Sequence, residues 1–263
     1  MPLLAIQNLR VAYPGRPPKT AVDGVTLAFE AGECAAIVGG SGCGKTTIAK
    51  TIVGLIQPAA GRIVYDGRDI AAFNKRERLE YRRAVQLVFQ DTLGALNPRM
   101  RIGAALEEAL LVHKREQFPL HAARRDRAAE VFDSLELPPA LLDKYPHEIS
   151  GGQRQRAGIA RSLALEPRVL IADEPVSALD VAVQAQMLKM FGALIKKTGL
   201  TLILIAHDLA VVRAICAKAF VLSAGNLVES GDPRAMFATP TSPITRELLE
   251  AVPDVSLALA RRQ

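Results

Sequence analysis

The sequence has few aromatic residues and no long apolar run. Aromatic residues make up 5% of the 263 residues, and the densest basic segment, residues 122–130, contains none of them. Proteins that hold single-stranded nucleic acid commonly combine a basic groove with aromatic side chains that stack on bases. We therefore expect no nucleic-acid partner. Because the arginines of residues 122–130 alternate with alanine and acids, we interpret this segment as a solvated helix face.

Membrane-spanning and cysteine-based elements are also missing. No stretch reaches the roughly 18 consecutive apolar residues that a transmembrane helix requires. The N-terminal segment lacks the basic and apolar regions of a secretory signal. Cys34, Cys43 and Cys216 occur singly, without the paired spacing of zinc or redox sites. These absences favour a chain that works in the reducing cytosol.

The overall composition is that of an ordinary globular protein, with 49% hydrophobic and 23% charged residues. Lysine and arginine outnumber aspartate and glutamate by 33 to 27. Such a modest basic excess is compatible with nucleic acid, anionic lipid or nucleotide phosphate, and it selects none of them.

Short apolar strands and helices alternate over most of the chain. Residues 3–13 and 25–29 alternate apolar and polar side chains, which predicts an antiparallel β start. Later apolar runs are separated by helical stretches, which predicts a parallel sheet; these runs are 34–38, 85–89, 169–172, 201–206 and 219–222. We predict an α/β fold with three parts: a core of residues 1–92 and 154–232, including the antiparallel β subdomain; an inserted α-helical subdomain of residues 93–153; and a C-terminal extension of residues 233–263.

A phosphate-binding loop follows the first buried strand. Its pattern, G-x-x-x-x-G-K-[ST] between a strand and a helix, is formed by Gly39, Gly40, Ser41, Gly42, Cys43, Gly44, Lys45 and Thr46. Backbone N–H groups of such a loop surround phosphate, Lys45 would reach the β and γ phosphates, and Thr46 would place its hydroxyl on Mg²⁺. Thr47 is a candidate contact for the α phosphate. The alternative is a glycine-rich turn that only joins strand to helix. We predict a RecA-like P-loop NTPase core that binds a nucleotide with Mg²⁺. The loop alone does not distinguish kinases, GTPases, helicases and transporters.

Polar residues end three further predicted strands. Asp173 would support the Mg²⁺ shell, and Glu174, which points in a different direction from its neighbour, is the candidate general base. His207 would bond the γ phosphate and position Glu174, since ligands bind at this edge of open α/β sheets. Gln90 would bond water on Mg²⁺, which makes it a catalytic and metal-site candidate. The alternatives are a helix cap or solvated edge for the acids, a structural histidine and a surface glutamine.

Residues 150–153 form a second predicted anion site. Ser150 and Gln153 have capping-box spacing around Gly151 and Gly152, so a helix should start there with its N–H groups and the Ser150 hydroxyl available to phosphate. This segment and the residues up to Arg156 resemble the signature of ABC ATPases. The resemblance implies a head-to-tail dimer in which each ATP lies between residues 39–46 of one subunit and residues 150–153 of the other.

Other positions match the same family pattern. The resemblance assigns Tyr13 to stacking on adenine, Gln90 to the Q-loop, residues 177–180 with Asp180 to the D-loop, and His207 to the H-loop. From the residues alone, the alternative for Tyr13 is an ordinary strand aromatic. Few other P-loop proteins carry a segment like residues 150–153.

A narrower similarity concerns the ATPases of oligopeptide, dipeptide and nickel importers, and it lies in residues 89–91, 96–100, 145–156, 179–186 and 230–253. It implies a second ATPase subunit, either a paralogue or an identical chain, two transmembrane permease subunits and, indirectly, an extracytoplasmic solute-binding protein. The chain would lie peripherally on the cytoplasmic face of the inner membrane and drive import of peptides, nickel or metal chelates. Thr92 stands where this family commonly has proline. The tail lacks the cysteines of many relatives, so no iron–sulfur cluster is expected.

Two other functions fit part of the pattern. A soluble ABC ATPase would use the same ATP chemistry, but such proteins usually carry two ATPase halves or a long coiled coil. A P-loop kinase or GTPase switch would act as a monomer and would need no segment like residues 150–153.

Overall fold

A computed structural model of the chain describes residues 1–89, 96–175 and 180–251. Its first sheet is antiparallel and has the strand order β2-β1-β4-β5. The strands are β1 Leu4–Tyr13, β2 Lys19–Phe29, β4 Ala60–Tyr65 and β5 Arg68–Asp69. The antiparallel start predicted from alternating side chains is confirmed, and β1 pairs with both β2 and β4.

The second sheet carries the loops of the candidate site. Its order is β10-β9-β3-β8-β7-β6, in which β9 to β6 are parallel and β10 is antiparallel to β9. The strands are β3 Cys34–Gly39, β6 Val85–Val88, β7 Val169–Asp173, β8 Thr201–Ala206, β9 Lys218–Ser223 and β10 Asn226–Gly231. Every residue of β3, β7 and β8 is buried, as expected for parallel strands covered on both faces.

Helices flank this sheet and follow it. They are α1 Lys45–Ile52, α2 Lys75–Ala84, α3 Ile102–His113, α4 His121–Ser134, α5 Gly151–Leu163, α6 Val181–Thr198, α7 Leu209–Ile215, α8 Pro233–Ala238 and α9 Pro243–Glu250. Over residues 1–89, 96–175 and 180–251, none of the helices has the length and apolar character needed to cross a bilayer. The subdomain boundaries at residues 92, 153 and 232 stay a prediction.

Successive residues of the parallel strands pack into two different cores. Leu170 and Leu204 belong to a cluster with residues of α3, α4, α5 and α6. Ile171 and Ile203 belong to a second cluster, shared with α1 and the antiparallel sheet. Because side chains alternate between the faces of a strand, the parallel sheet is sandwiched between these two layers. The sandwich leaves the carboxyl ends of its strands free to carry the site loops.

The structure contradicts the interpretation of the basic segment 122–130 as a solvated helix face. Its arginines are half-buried rather than solvated. Arg125 contacts Asp143 at 2.7 Å and Glu107 at 3.6 Å, and Arg127 contacts Glu166 at 3.2 Å. The partners lie far along the chain, so the segment ties α4 to its neighbours.

Two cysteines that are isolated in the sequence meet in the core. The Sγ atoms of Cys34 and Cys216 are 3.3 Å apart and buried. The contact with Cys34, together with burial, raises the pKa of the Cys216 thiol. The Cys216 thiol is therefore a poorly nucleophilic packing group.

Candidate functional site

The order of the parallel sheet brings the predicted site residues together. Strand β8 lies between β3 and β7, with Val38 opposite Ala206 and Asp173 opposite Ile205. The loops after these three strands therefore leave the sheet at one edge. They enclose a cleft of about 440 Å³, whose lining residues are Ser41, Gly42, Gly44, Lys45, Thr46, Thr47, Glu174 and His207.

The loop 39–46 approaches its neighbours through backbone. Gly44 has φ 109°, and a Cβ there would lie 2.5 Å from the carbonyl oxygen of Ala21. No described side chain caps the start of α1 after Gly44. The first N–H groups of the helix are thus left to an anion, which the helix dipole also favours.

The Ala21 carbonyl is also approached by Gly225 in the turn between β9 and β10. A Cβ on Gly225 would lie 2.9 Å from this oxygen. The Gly225 N–H donates to the Cys43 carbonyl at 3.1 Å, and the Asp23 N–H donates to the Gly225 carbonyl at 2.8 Å. Backbone contacts therefore join the phosphate loop, β2 and the β9–β10 turn.

Lys45 lies folded over its own loop. Its Nζ donates to the carbonyl oxygens of Gly39 at 2.8 Å and Gly40 at 2.9 Å. The distance from Nζ to the Sγ atom of Cys43 is longer, at 3.9 Å. An ammonium group has three N–H donors, and two of them are held by strong acceptors. The charge is thus fixed at the cleft with donor capacity remaining for phosphate.

Thr46 and Asp173 form the candidate metal site. The Thr46 hydroxyl donates to Asp173 Oδ2 at 2.9 Å. Burial raises the pKa of the Asp173 carboxyl, the hydrogen bond from Thr46 opposes this rise, and the neighbouring charge of Glu174 adds to it. Hydroxyl and carboxylate oxygens are ligands that Mg²⁺ accepts, so the residues present fit that ion.

Glu174 and His207 form a pair beside the phosphate loop. Glu174 Oε1 and His207 Nδ1 are 3.4 Å apart. Strand β7 ends at Asp173, and Glu174 has φ 48°, while its N–H donates to the Ile205 carbonyl at 2.9 Å. A left-handed residue at the end of β7, rather than strand alternation, therefore aims the carboxylate. Such strain is typical of functional sites.

Tyr13, at the end of β1, reaches the first turn of α1. Its hydroxyl is 3.1 Å from Thr47 Oγ1, and 39% of the residue is exposed. The structure thus places the predicted adenine-stacking residue next to the predicted α-phosphate contact.

The segment 150–153 forms the predicted capping box at the start of α5. The Gln153 N–H donates to Ser150 Oγ at 3.3 Å, and the Ser150 N–H donates to Gln153 Oε1 at 3.0 Å. Ser150 Oγ accepts the capping bond, and its hydroxyl proton can still be donated to phosphate. Within the described chain, the cleft beside Lys45 has no lining residue from 150–153.

The remaining site candidates lie elsewhere or outside the described residues. Asp180 is exposed and caps α6 by accepting from the Val183 N–H at 3.0 Å. Gln90 and residues 177–179 are outside the described part of the chain. Asp208, which sequence reasoning did not select, caps α7 beside His207. An aspartate directly before a helix start is the signal that could have identified it.

Fold and site together define a P-loop nucleotide-binding protein, and comparison with known proteins narrows the class. The profile of the ABC transporter family matches residues 22–177. The oligopeptide transport ATP-binding protein OppF of Salmonella typhimurium is 46% identical over 263 residues, covering 95% of this chain and 78% of OppF.

Solved structures of related proteins resemble this chain over most of its length. CbiO1 of Clostridium perfringens, part of the ABC transporter complex cbiONQ, has a TM-score of 0.80 at 27% identity and covers 98% of this chain and 99% of its own. A dimeric post-hydrolysis structure of the ATP-binding cassette MJ0796 with ADP and Pi has a TM-score of 0.79 at 29% identity, covering 88% of this chain and 99% of its own. The chain belongs to the ABC transporter family and is an ATPase of it.

Proposed function

We propose that this chain is the ATP-hydrolysing subunit of a peptide importer, acting in a pair of ATPase subunits attached to two permease subunits. The observation that carries the proposal is the meeting of Lys45, Thr46, Glu174 and His207 at one cleft, while residues 150–153 open a separate helix. One subunit thus has the phosphate loop and the catalytic pair in one place and a second anion site in another.

The residues of the cleft divide the work of holding the nucleotide. Tyr13 would stack on adenine, Thr47 would contact the α phosphate, and Lys45 would neutralise charge on the β and γ phosphates. Thr46 and Asp173 would hold Mg²⁺, and Gln90 is proposed to reach it through water. When bound, Mg²⁺ supplies charge neutralisation between the β- and γ-phosphate oxygens.

Hydrolysis is assigned to the Glu174–His207 pair. Glu174 would accept a proton from the water that attacks the γ phosphorus. His207 lies 3.4 Å from Glu174 Oε1, so it would hold the carboxylate and donate to the γ phosphate. Because Glu174 is mostly buried, with 18% of its side chain exposed, the carboxylate is partly shielded from bulk solvent.

The second half of each site is proposed to come from another ATPase subunit. Ser150 and Gly151 are exposed, and the start of α5 provides N–H groups and a dipole for the γ phosphate. Asp180 is exposed at the start of α6 and would lie in the same contact. The dimeric MJ0796 cassette supports this arrangement, and the partner would be a second copy or a paralogue.

A groove of about 500 Å³ between β6, α3 and α5 is the proposed permease contact. Phe89 and Val112 line it, although 38% and 63% of these residues are exposed. Exposed apolar side chains around a groove are typical of interaction sites. Burial and the neighbouring Arg83 and Arg161 lower the pKa of His113 at this groove. The exposed apolar side chains of the groove therefore suit an apolar permease segment.

The cargo is proposed from the relatives. OppF is named for oligopeptide transport, which favours peptides over nickel or metal chelates. Attachment to permease subunits would place the chain at the cytoplasmic face of the membrane. The ATPase activity of the purified complex should rise when an oligopeptide and its binding protein are added. A rise with nickel alone would reassign the cargo.

The catalytic assignment is tested by Glu174→Gln and Lys45→Ala. Glu174→Gln should bind ATP, hydrolyse it at least 100-fold more slowly and accumulate as an ATP-bound dimer in size-exclusion chromatography. Lys45→Ala should lose ATP binding or turnover. Glu80→Gln, an exposed glutamate paired with Arg76, is the matched control. Normal turnover of Glu174→Gln would remove the base assignment.

The permease contact is tested by placing a charge in the groove. Val112→Asp should prevent co-purification with the permease subunits while leaving ATP binding intact. Leu120→Asp changes an equally apolar residue that is 68% exposed and does not line the groove. Equal retention of the permease by both variants would place the contact elsewhere.

A further inference from the structure

A small cavity adjoins the Glu174–His207 pair and has no lining residue from the phosphate loop. Its volume is about 80 Å³, and Gln184 and Asp208 provide further polar groups in its lining. Glu174 and His207 line both this cavity and the larger cleft. The pair therefore borders both spaces, and the polar groups of the small cavity lie close enough to it to influence its position.

Gln184 occupies the first turn of α6 and reaches across this cavity. Its Nε2 donates to Asp208 Oδ2 at 3.3 Å, and its backbone N–H donates to the Asp180 carbonyl at 2.8 Å. The other oxygen of Asp208, Oδ1, accepts from Ala210 N–H at 2.8 Å and Val211 N–H at 3.3 Å. Helix capping therefore uses one carboxylate oxygen, and the second oxygen is left to Gln184.

We propose that Gln184 is a positioning residue for hydrolysis, which holds Asp208 and hence the adjoining His207 at the distance from Glu174 that the reaction requires. Asp208 is covalently next to His207, so the hydrogen bonds that anchor the Asp208 carboxylate also restrain the backbone that carries the imidazole. The inference rests on the proposed function, which assigns hydrolysis to the Glu174–His207 pair and places residues 150–153 and Asp180 at the subunit contact.

The position of Gln184 also connects this pair to both partner-facing segments. Asp180 caps the helix on which Gln184 lies. A Cβ on Gly152 would lie 3.0 Å from Val183 Cγ1, so the segment 150–153 packs on the residue that precedes Gln184. Movement of either segment on subunit pairing would be transmitted to His207 through the Gln184–Asp208 hydrogen bond.

The test compares two glutamines of the same helix in the full chain. Gln184→Ala should lower kcat about five-fold, the effect of one net hydrogen bond, with KM for MgATP within about two-fold of wild type, since no nucleotide contact is removed. Gln186→Ala is the matched control, because Gln186 is exposed and its Nε2 donates to Glu136 at 2.7 Å, away from the pair. Its kcat should stay within about two-fold of wild type.

A reciprocal exchange separates positioning from loss of structure. Gln184→Glu alone faces the Asp208 carboxylate with a second carboxylate and should lower kcat, whereas Gln184→Glu combined with Asp208→Asn restores a carboxylate–amide hydrogen bond with donor and acceptor exchanged. The double variant should recover kcat to within about three-fold of wild type.

Each outcome decides the matter. The positioning role would be overturned by an unchanged kcat in Gln184→Ala, or by a rise in its KM for MgATP as large as its fall in kcat. It would also be overturned if kcat of the double variant were no higher than that of the single variant. Glu174→Gln is measured in the same preparation: loss of turnover there, with no effect of Gln184→Ala, rejects this inference and leaves the proposed function standing. Full turnover of Glu174→Gln rejects the proposed function itself.

Discussion

Replacing Ser150 with aspartate separates the structural role of this residue from its proposed role at the subunit contact. Ser150 Oγ caps α5 by accepting from Gln153 N–H. Aspartate caps helices about as well as serine, whereas alanine costs about 1 kcal/mol. The unfolding free energy of Ser150→Asp should therefore lie within about 0.5 kcal/mol of the wild-type value. A stability loss cannot then account for a loss of function.

The functional penalty of Ser150→Asp comes from charge. In the proposed dimer the new carboxylate would lie near the γ phosphate of the partner's nucleotide. Two like charges about 4 Å apart at an effective dielectric constant near 20 repel by about 4 kcal/mol, which corresponds to about a thousand-fold loss in nucleotide-driven pairing. Sedimentation of the Glu174→Gln chain with and without Ser150→Asp, in ATP, measures this difference.

Mixing two inactive variants tests the shared site directly. In a mixed pair of Lys45→Ala and Ser150→Asp chains, both defects fall in one site and the other site is intact. Random pairing makes half of the dimers mixed, so co-expression should restore about a quarter of wild-type turnover if the sites act independently. A mixture as inactive as its components would refute the shared site, because a self-contained site has nothing to exchange.

Three further predictions test local geometry. Tyr13→Phe keeps the ring but loses the contact with Thr47, so KM for ATP should rise less than about five-fold, and clearly less than in Tyr13→Ala; equal effects would contradict stacking. Gly44→Ala, with its left-handed φ and blocked Cβ, should lower the unfolding free energy by about 1–3 kcal/mol, whereas Gly40→Ala, where nothing lies within 4 Å, should melt like wild type. Burial would raise the pKa of Glu229, but hydrogen bonds from residues 241 and 242 outweigh it and lower the pKa to about 2. This stabilisation is present above the pKa of an unfolded glutamate and is lost only as pH falls towards 2. Glu229→Ala should therefore speed amide exchange over residues 241–250 at pH 7, and unchanged exchange would rule the contact out.

The parts of the site that are local in sequence were predictable. The phosphate loop follows a strand of continuous apolar residues, and the Ser150–Gln153 capping box is a spacing rule within one helical turn. The strand ends at Asp173 and His207 are marked by a change from apolar to polar residues. A parallel sheet then brings such ends to one edge without any further information.

The features that were missed depend on contacts or on weaker local signals. Strands β4 and β5 are short, and their clearest mark is the Asp66–Gly67 turn, whose two residues have φ 49° and 78° and form a hairpin. Helix α2 is almost entirely polar, yet Asn74 and Glu77 form a capping box at its start. Both signals were present in the sequence and went unused.

Nonlocal partners explain the remaining errors. Residues 122–130 resemble a solvated helix until Asp143 and Glu166 are placed beside their arginines. Cys34 and Cys216 are distant in sequence and meet only because β3 pairs with β9. The aim of Glu174 depends on its left-handed conformation, which a non-glycine residue adopts only when the surrounding structure imposes it.

The Ala21 carbonyl oxygen restricts which residues can replace two glycines of this sequence. Gly44 and Gly225 approach that single oxygen, and Gly225 also bonds to Cys43 through backbone alone. At both glycines the atom nearest to an added Cβ is this backbone oxygen, so substitutions of other side chains would not relieve the closest contact if either glycine gained a Cβ. No second substitution should rescue a larger residue at Gly44 or Gly225. These two positions should change least even between paralogues whose cargo and partners have diverged.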